Sequence, residues 1–146
     1  MRKHIILAAI AVMSIAAFVG CKKSSSTPGY SMKATVGTTA YSVSNCFGVK
    51  LDSSLTIEGI AGGTTTSFPY LAVTLSTWSG NTGTFALDSF VNFGEYILSD
   101  TSAKESKSGT LTITSVSSTT IAGTFSFTCS DGTVVSGGSF NAKVQP

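Results

Sequence analysis

From Met32 onward the apolar residues of this chain recur at every second position, and no stretch keeps a 3.6-residue period long enough for a helix. A period of two marks a pleated strand with one face buried, so the chain is expected to be all-β. Val, Ile, Thr, Phe and Tyr fill the runs, while Gly, Ser, Asn and Asp separate them. The pattern predicts strands over Met32–Val36, Ala40–Leu51, Leu55–Ala61, Tyr70–Thr77, Gly83–Leu87, Val91–Leu98, Gly109–Val116, Thr120–Cys129 and Thr133–Val144. Within them Leu71, Val73 and Leu75 share a face, as do Leu111 with Ile113, Phe125 with Phe127, and Phe140 with Ala142 and Val144. The breaks after Val116 and at Asp131-Gly132 are hairpin-short, the second with a pair suited to a type I′ turn. Gly123 and Gly137-Gly138 fall inside strands and predict bulges or bends. Sequential antiparallel pairing is the simplest topology. About nine strands with one buried face make either an antiparallel sandwich or an up-and-down barrel, and the pattern favours neither.

The first twenty residues read differently. Met1 to His4 is a short basic head, Ile5 to Ala17 is apolar apart from Ser14, and Phe18-Val19-Gly20-Cys21 ends in a thiol. That ending resembles a bacterial lipobox, with Gly before the Cys as usual and Phe in place of Leu. The resemblance implies cleavage before Cys21, which then carries a thioether-linked diacylglycerol and an acylated amine, enough acyl chains for stable anchoring. A plain secretory signal and an uncleaved anchor are the alternatives. The apolar run falls short of the about 20 residues a spanning helix needs, and it ends in Cys-Lys-Lys-Ser-Ser-Ser. Residues 1–20 are thus expected to be a signal peptide, 21–31 the lipidated Cys and its tether, and 32–146 one domain. The tether has no apolar face, and eight residues of it have a root-mean-square reach on the order of 15 Å.

Once the signal is set aside, seven lysines face seven Asp and Glu residues, and the domain is neutral. A neutral domain without a basic cluster lacks the phosphate-neutralising footprint of a nucleic-acid binder. The only His is His4 and the only Arg is Arg2, both in the signal. The mature chain therefore lacks the commonest general base, the commonest transition-metal ligand and the bidentate clamp for phosphate or carboxylate. Ser-His-Asp and Cys-His chemistry are excluded, and no Ser-x-x-Lys spacing remains for a Ser-Lys nucleophile. No enzyme activity, cofactor or metal is expected. Asp88, Asn92 and Glu95 offer oxygen ligands but lack the alternating positions of a calcium loop, because Phe90 and Phe93 interrupt them.

The closing third of the chain reads Gly109-Thr-Leu-Thr-Ile-Thr114, Ile121-Ala-Gly-Thr-Phe-Ser-Phe-Thr128 and Val135-Ser-Gly-Gly-Ser-Phe-Asn-Ala-Lys143. These strands resemble those of a family of small, uncharacterised lipoproteins of the Bacteroidetes type. Met32-Lys-Ala-Thr-Val-Gly37 and Ala40-Tyr41 resemble that family's opening hairpin, with Tyr41 where Trp is usual. The resemblance implies an all-β domain attached to the outer membrane and brings no catalytic residues with it. Surface-displayed lipoproteins of such bacteria carry an acidic residue soon after the lipidated Cys. Lys22-Lys23-Ser24 has none, so the periplasmic and surface sides both stay open.

With Cys21 committed to lipid, Cys46 and Cys129 remain as a pair in an oxidising compartment, and a disulfide is the expected outcome. Alternation puts Cys129 with Phe125 and Phe127 but sets Cys46 opposite Phe47, Val49 and Tyr41, so a bridge requires a bulge near Asn45 or outward-facing thiols. Trp78, at a strand end before Ser-Gly-Asn-Thr-Gly, and Tyr70, after Phe68-Pro69, are the candidate ligand-binding aromatics. Each is either a sugar platform or a cover over the core. Lys104-Glu105-Ser106-Lys107 reads as a surface loop. The expected function is non-catalytic, binding or structural, with the membrane as a partner through the anchor. A glycan or small-ligand module would show an aromatic-lined cleft near Trp78 or Tyr70. An adhesion or assembly component would show a free edge strand or apolar patch. A glycosidase would need carboxylates such as Glu58 and Glu95 to converge.

Overall fold

The structure is a computed structural model that describes residues 29–61 and 67–145. The signal peptide, Cys21 and most of the tether lie outside the described residues. The described residues form ten strands: β1 (Ser31–Val36), β2 (Thr39–Val43), β3 (Cys46–Leu51), β4 (Ser54–Gly59), β5 (Tyr70–Leu75), β6 (Gly83–Leu87), β7 (Asn92–Ser99), β8 (Ser102–Val116), β9 (Thr120–Cys129) and β10 (Val134–Gln145). The all-β expectation holds. The choice between sandwich and barrel resolves as a barrel with a count of ten rather than nine: β10, β3, β4, β5, β7, β8 and β9 close a seven-stranded ring, to which β1, β2 and β6 are added.

Closure depends on two long strands that each change partner along one edge. β9 runs beside both β8 and β10. The other edge of β10 pairs first with β1, through Val36↔Val135 to Ser31↔Asn141, and then in parallel with β3, through Lys143↔Phe47 to Gln145↔Val49. The other edge of β8 pairs with β7 at Ser102–Glu105 and with β6 at Gly109–Ile113. The ring is therefore not a simple meander. β5 pairs with β7, skipping β6, and β3 closes onto β10 in parallel.

Two sequence expectations change for this reason. Ala40–Leu51 is not one strand, because the chain leaves the outer side of β1 at Val43 and joins β10 as β3, breaking at Ser44-Asn45. Lys104–Lys107 is not a loop, because β8 extends to Ser102 to meet β7. The exposed charges of that run face outward from a strand, a pattern that sequence cannot tell from a polar connection.

The interior is filled by the side chains that alternation assigns to it. Leu71, Val73, Leu75, Leu111, Ile113, Phe125, Phe127 and Ala142 are buried, together with Met32, Leu55, Ile57, Ile121 and Val135. A barrel this narrow has a lumen only wide enough for such residues, so burying them is what holds it together. Phe125 packs against both Phe127 and Phe140, with centroids 6.2 and 6.3 Å apart. Phe127 also lies over Gly94, where a Cβ would stand 2.5 Å from its ring.

The turn after β9 is not type I′, since Asp131 keeps a negative φ and only Gly132 takes a positive one, at 86°. Gly132 N–H donates to the Cys129 carbonyl, and Cys129 N–H donates to that of Thr133. Ser130-Asp131-Gly132 is thus a three-residue loop ending in a left-handed Gly. The expected bulge at Gly137 is present, as a register shift between Val135 and Gly138. Gly123 makes no bulge; it stays in register with Phe140 and Ile113, and the shift falls on β8 between Ile113 and Ser115.

Candidate functional site

With the lumen occupied, a ligand must meet the outside of the wall or the barrel ends. One outward row crosses five strands: Phe47 on β3, Glu58 on β4, Ala72 on β5, Glu95 on β7 and Glu105 on β8. Ala72 points away from the lumen yet is only 3 % exposed, so the longer side chains around it cover it. Glu58 and Glu95 flank it. They lie two strand spacings apart, about 9–10 Å between their Cα atoms.

Along β5 the same outward face carries Tyr70 and Thr74 on either side of Ala72. The Tyr70 ring stacks on Phe68 with centroids 5.6 Å apart and planes at 29°, across a cis Phe68-Pro69 peptide bond. Phe68 is 36 % exposed and Tyr70 half-buried, so the pair presents aromatic surface to solvent. The Thr74 hydroxyl shares a 3.1 Å hydrogen bond with that of Thr56.

The row is electrostatically unbalanced. Burial raises the Glu95 pKa, and the Glu105 and Glu58 carboxylates raise it further. Burial also raises the Glu58 pKa. Tyr70 is shifted upward by desolvation and by the same two carboxylates, Glu58 and Glu95. Groups held this way favour hydrogen bonds to hydroxyls, which a carboxylate accepts and its protonated form can donate.

Trp78 is placed differently. It is 6 % exposed and belongs to the core, its Nε1–H donating to the Asn81 carbonyl at 2.9 Å. The Lys50 ammonium stands 5.7 Å from its ring centroid, and Trp78 N–H donates to the Ser53 carbonyl. The indole thus covers the barrel where the β5–β6 connection crosses its end, and it contributes to a shallow recess with Ser53 and Phe85. It is not adjacent to the Tyr70 row.

The expected bridge is absent: Cys46 and Cys129 are free thiols, each 1 % exposed. Both point inward, which settles the parity conflict by turning Phe47 and Val49 outward instead. They do not meet because Lys143 of β10 pairs with Phe47 on one edge and Thr120 on the other. The β9 position level with the start of β3 is therefore Thr120, at the opposite end of that strand from Cys129. Burial pushes the Cys46 thiol up to about 12, with Glu58 adding to the effect.

Asp88, Asn92 and Glu95 do not converge. The Asp88 carboxylate accepts from Phe90 and Val91 N–H at 2.7 and 2.8 Å, while the Asn92 amide is used by Ser76 N–H and the Ala86 carbonyl. Glu95 belongs to the outer row. Among the described residues no three acidic, His or Cys side chains group to hold a metal. At the far end of the barrel, Lys104 and Asp131 form an ion pair at 2.8 Å beside a shallow recess with Ala103, Glu105 and Ser130.

Sequence reasoning singled out Tyr70, and named Glu58 and Glu95 as a pair that no spacing brings together. Their alignment follows from β5 pairing with β7, and no local signal announces that β6 is skipped. Neither a protein-family model, nor a curated protein, nor a solved structure matches this chain.

Proposed function

We propose that this chain is a lipid-anchored, non-catalytic β-barrel of the bacterial cell envelope, held to the outer membrane through Cys21, which binds a glycan or similar polyhydroxylated ligand on its outer wall. The carrying observation is the outward row in which Glu58 and Glu95 flank Ala72, with the stacked Phe68–Tyr70 pair next to it along β5. A sugar ring stacks on an aromatic face while its hydroxyls donate to carboxylates, and this wall offers both groups side by side. Among the described residues the lumen is filled by apolar side chains.

The test is calorimetry or a glycan array with the full-length lipoprotein in detergent. Binding should be lost in Tyr70→Ala and weakened at least tenfold in Glu58→Gln, with melting little changed. Binding that survives both substitutions places the ligand elsewhere, and release of a shortened glycan would replace the binding reading with hydrolysis. A second reading, assembly, is favoured by β2, which among the described strands pairs only with β1 and keeps one edge open. Cross-linking pull-down from native membranes distinguishes the two, since assembly requires a stoichiometric protein partner captured through Thr39–Val43.

A further inference from the structure

The largest exposed apolar side chains at the Trp78-covered end of the barrel are Phe90, Val91 and Leu51, at 88, 50 and 68 %. They occupy two separate turns but one row of the wall. Leu51 pairs with Ser54, Leu55 with Leu75 and Leu75 with Asn92, so the next positions, Ser54, Ser76 and Val91, continue the row from Leu51. The Ser76 hydroxyl donates to the Val91 carbonyl, which ties these two neighbouring positions of the row together. Three strand spacings separate Leu51 from Val91, about 14 Å.

The projecting Phe90 is held from both sides. β6 and β7 follow one another along the same edge of β8, and Ser89-Phe90-Val91 is an excursion between them. Asp88 caps the excursion by accepting from Phe90 and Val91 N–H, and Asp88 N–H donates to the Asn92 carbonyl at 2.6 Å. Ser106 Oγ–H donates to the Asp88 carbonyl at 2.7 Å from beneath. The Asp88 charge is thus engaged by backbone N–H groups, and the tip itself is apolar. Leu51 is fixed in the same way by Ser54 Oγ–H, which donates to its carbonyl at 2.9 Å.

We infer that Phe90, Val91 and Leu51 dip into the lipid bilayer that anchors the chain. This rests on the lipid-anchor reading of Cys21. The occupant follows from the chain outside the described residues: Gly29 is eight residues from Cys21, and such a tether reaches on the order of 15 Å. Gly29 lies beside the seam where β3 begins, its carbonyl accepting from Asn141 Nδ2–H at 3.5 Å, and β3 runs from there to Leu51. The tether therefore keeps this side of the barrel near the membrane surface, where contact is intramolecular and a few apolar tips suffice. Lys50, next to Leu51 and exposed, is suited to the phosphate level of the headgroups.

The test uses the full lipidated chain in phosphatidylcholine vesicles with and without brominated acyl chains. The variants are Phe90→Trp, Leu51→Trp and, at the opposite end, Val134→Trp, with the parent's buried Trp78 as background. Brominated lipid should quench the added indole in the first two variants by at least half and leave that of Val134→Trp unaffected. Fatty-acid labelling and vesicle flotation report the anchor separately. A labelled, floating protein whose added indoles at 90 and 51 are quenched by aqueous acrylamide and not by brominated lipid overturns the contact while sparing the anchor. Absence of label at Cys21 overturns both. Shielding of both indoles without bromine quenching, growing with protein density on the vesicle, would assign the tips to a second copy of the chain instead. All three positions are exposed, and a melt of each variant within a few degrees of the parent shows that the fold is kept.

Discussion

At the scale of single residues, this barrel separates side chains of similar character by where they stand on the ring. Tyr70 and Trp78 stand at the two ends of one apolar run in the sequence, yet Trp78 caps the core and Tyr70 sits on the outer wall. Trp78→Ala is expected to remove a buried indole from the barrel end and to cost about 3 kcal/mol of stability. The parent's emission should already be blue-shifted and resistant to acrylamide, since Trp78 is the only indole in the chain. A red-shifted, quenchable parent together with an unchanged Trp78→Ala melt would contradict its place in the core. Cys46 and Cys129 show the same dependence on position: both point inward, Cys46 with Phe47 and Val49 turned outward in its place, but at ends of the ring that do not meet.

At the scale of elements, one buried hydroxyl bridges the two sides of the junction of β6 and β7 from β8. Ser106, 0 % exposed, is the only buried polar residue in the described core. Its Oγ–H donates to the Asp88 carbonyl, and it accepts from Gly94 N–H at 2.9 Å. Ser106→Ala should leave both groups without that partner and cost about 1–3 kcal/mol. Exchange of the Gly94 amide should accelerate while amides of the β9–β10 pair stay protected, which a hydrogen-exchange comparison would read. Uniform acceleration across the barrel would mean the junction is not a local device. No feature of Lys104-Glu105-Ser106-Lys107 foretells this role, because a serine among charges reads as surface until β8 is seen to carry two partners on one edge.

At the scale of the whole molecule, the outer row gives stability a pH dependence whose sign can be worked out. Glu58 and Glu95 have folded-state pKa values raised above their unfolded ones, chiefly by burial. The folded state then binds more protons, so their contribution is present below the unfolded glutamate pKa and is lost as pH rises through the folded value. Asp131 acts in the opposite sense. Lys104 and the Thr133 N–H hold it down to about 2, so its contribution is present above the ordinary aspartate pKa and is lost as pH falls from there through about 2. Combining Glu58→Gln with Glu95→Gln should raise stability at pH 7 by about 0.2–1 kcal/mol for each like-charge contact relieved. The gain should vanish near pH 3, where both states are protonated, and melts across a pH series would check it. An equal gain at every pH would assign the effect to packing instead of charge.

The period-two pattern by itself determined that the chain is β-structure, which residues fill the core, and where most strands lie, because side-chain alternation is a local consequence of the pleat. Tyr70 was legible as a candidate on the same ground, from its place beside Phe68-Pro69 at a strand start. Tertiary structure alone decided that β5 pairs with β7, that β3 closes onto β10 in parallel, and that Glu58, Ala72 and Glu95 therefore share a row. It also decided that Cys46 and Cys129 stay apart. These are matters of strand order and of the stagger around a tilted, closed sheet. They are set by how the whole ring packs its apolar faces, a condition no single strand carries in its own residues.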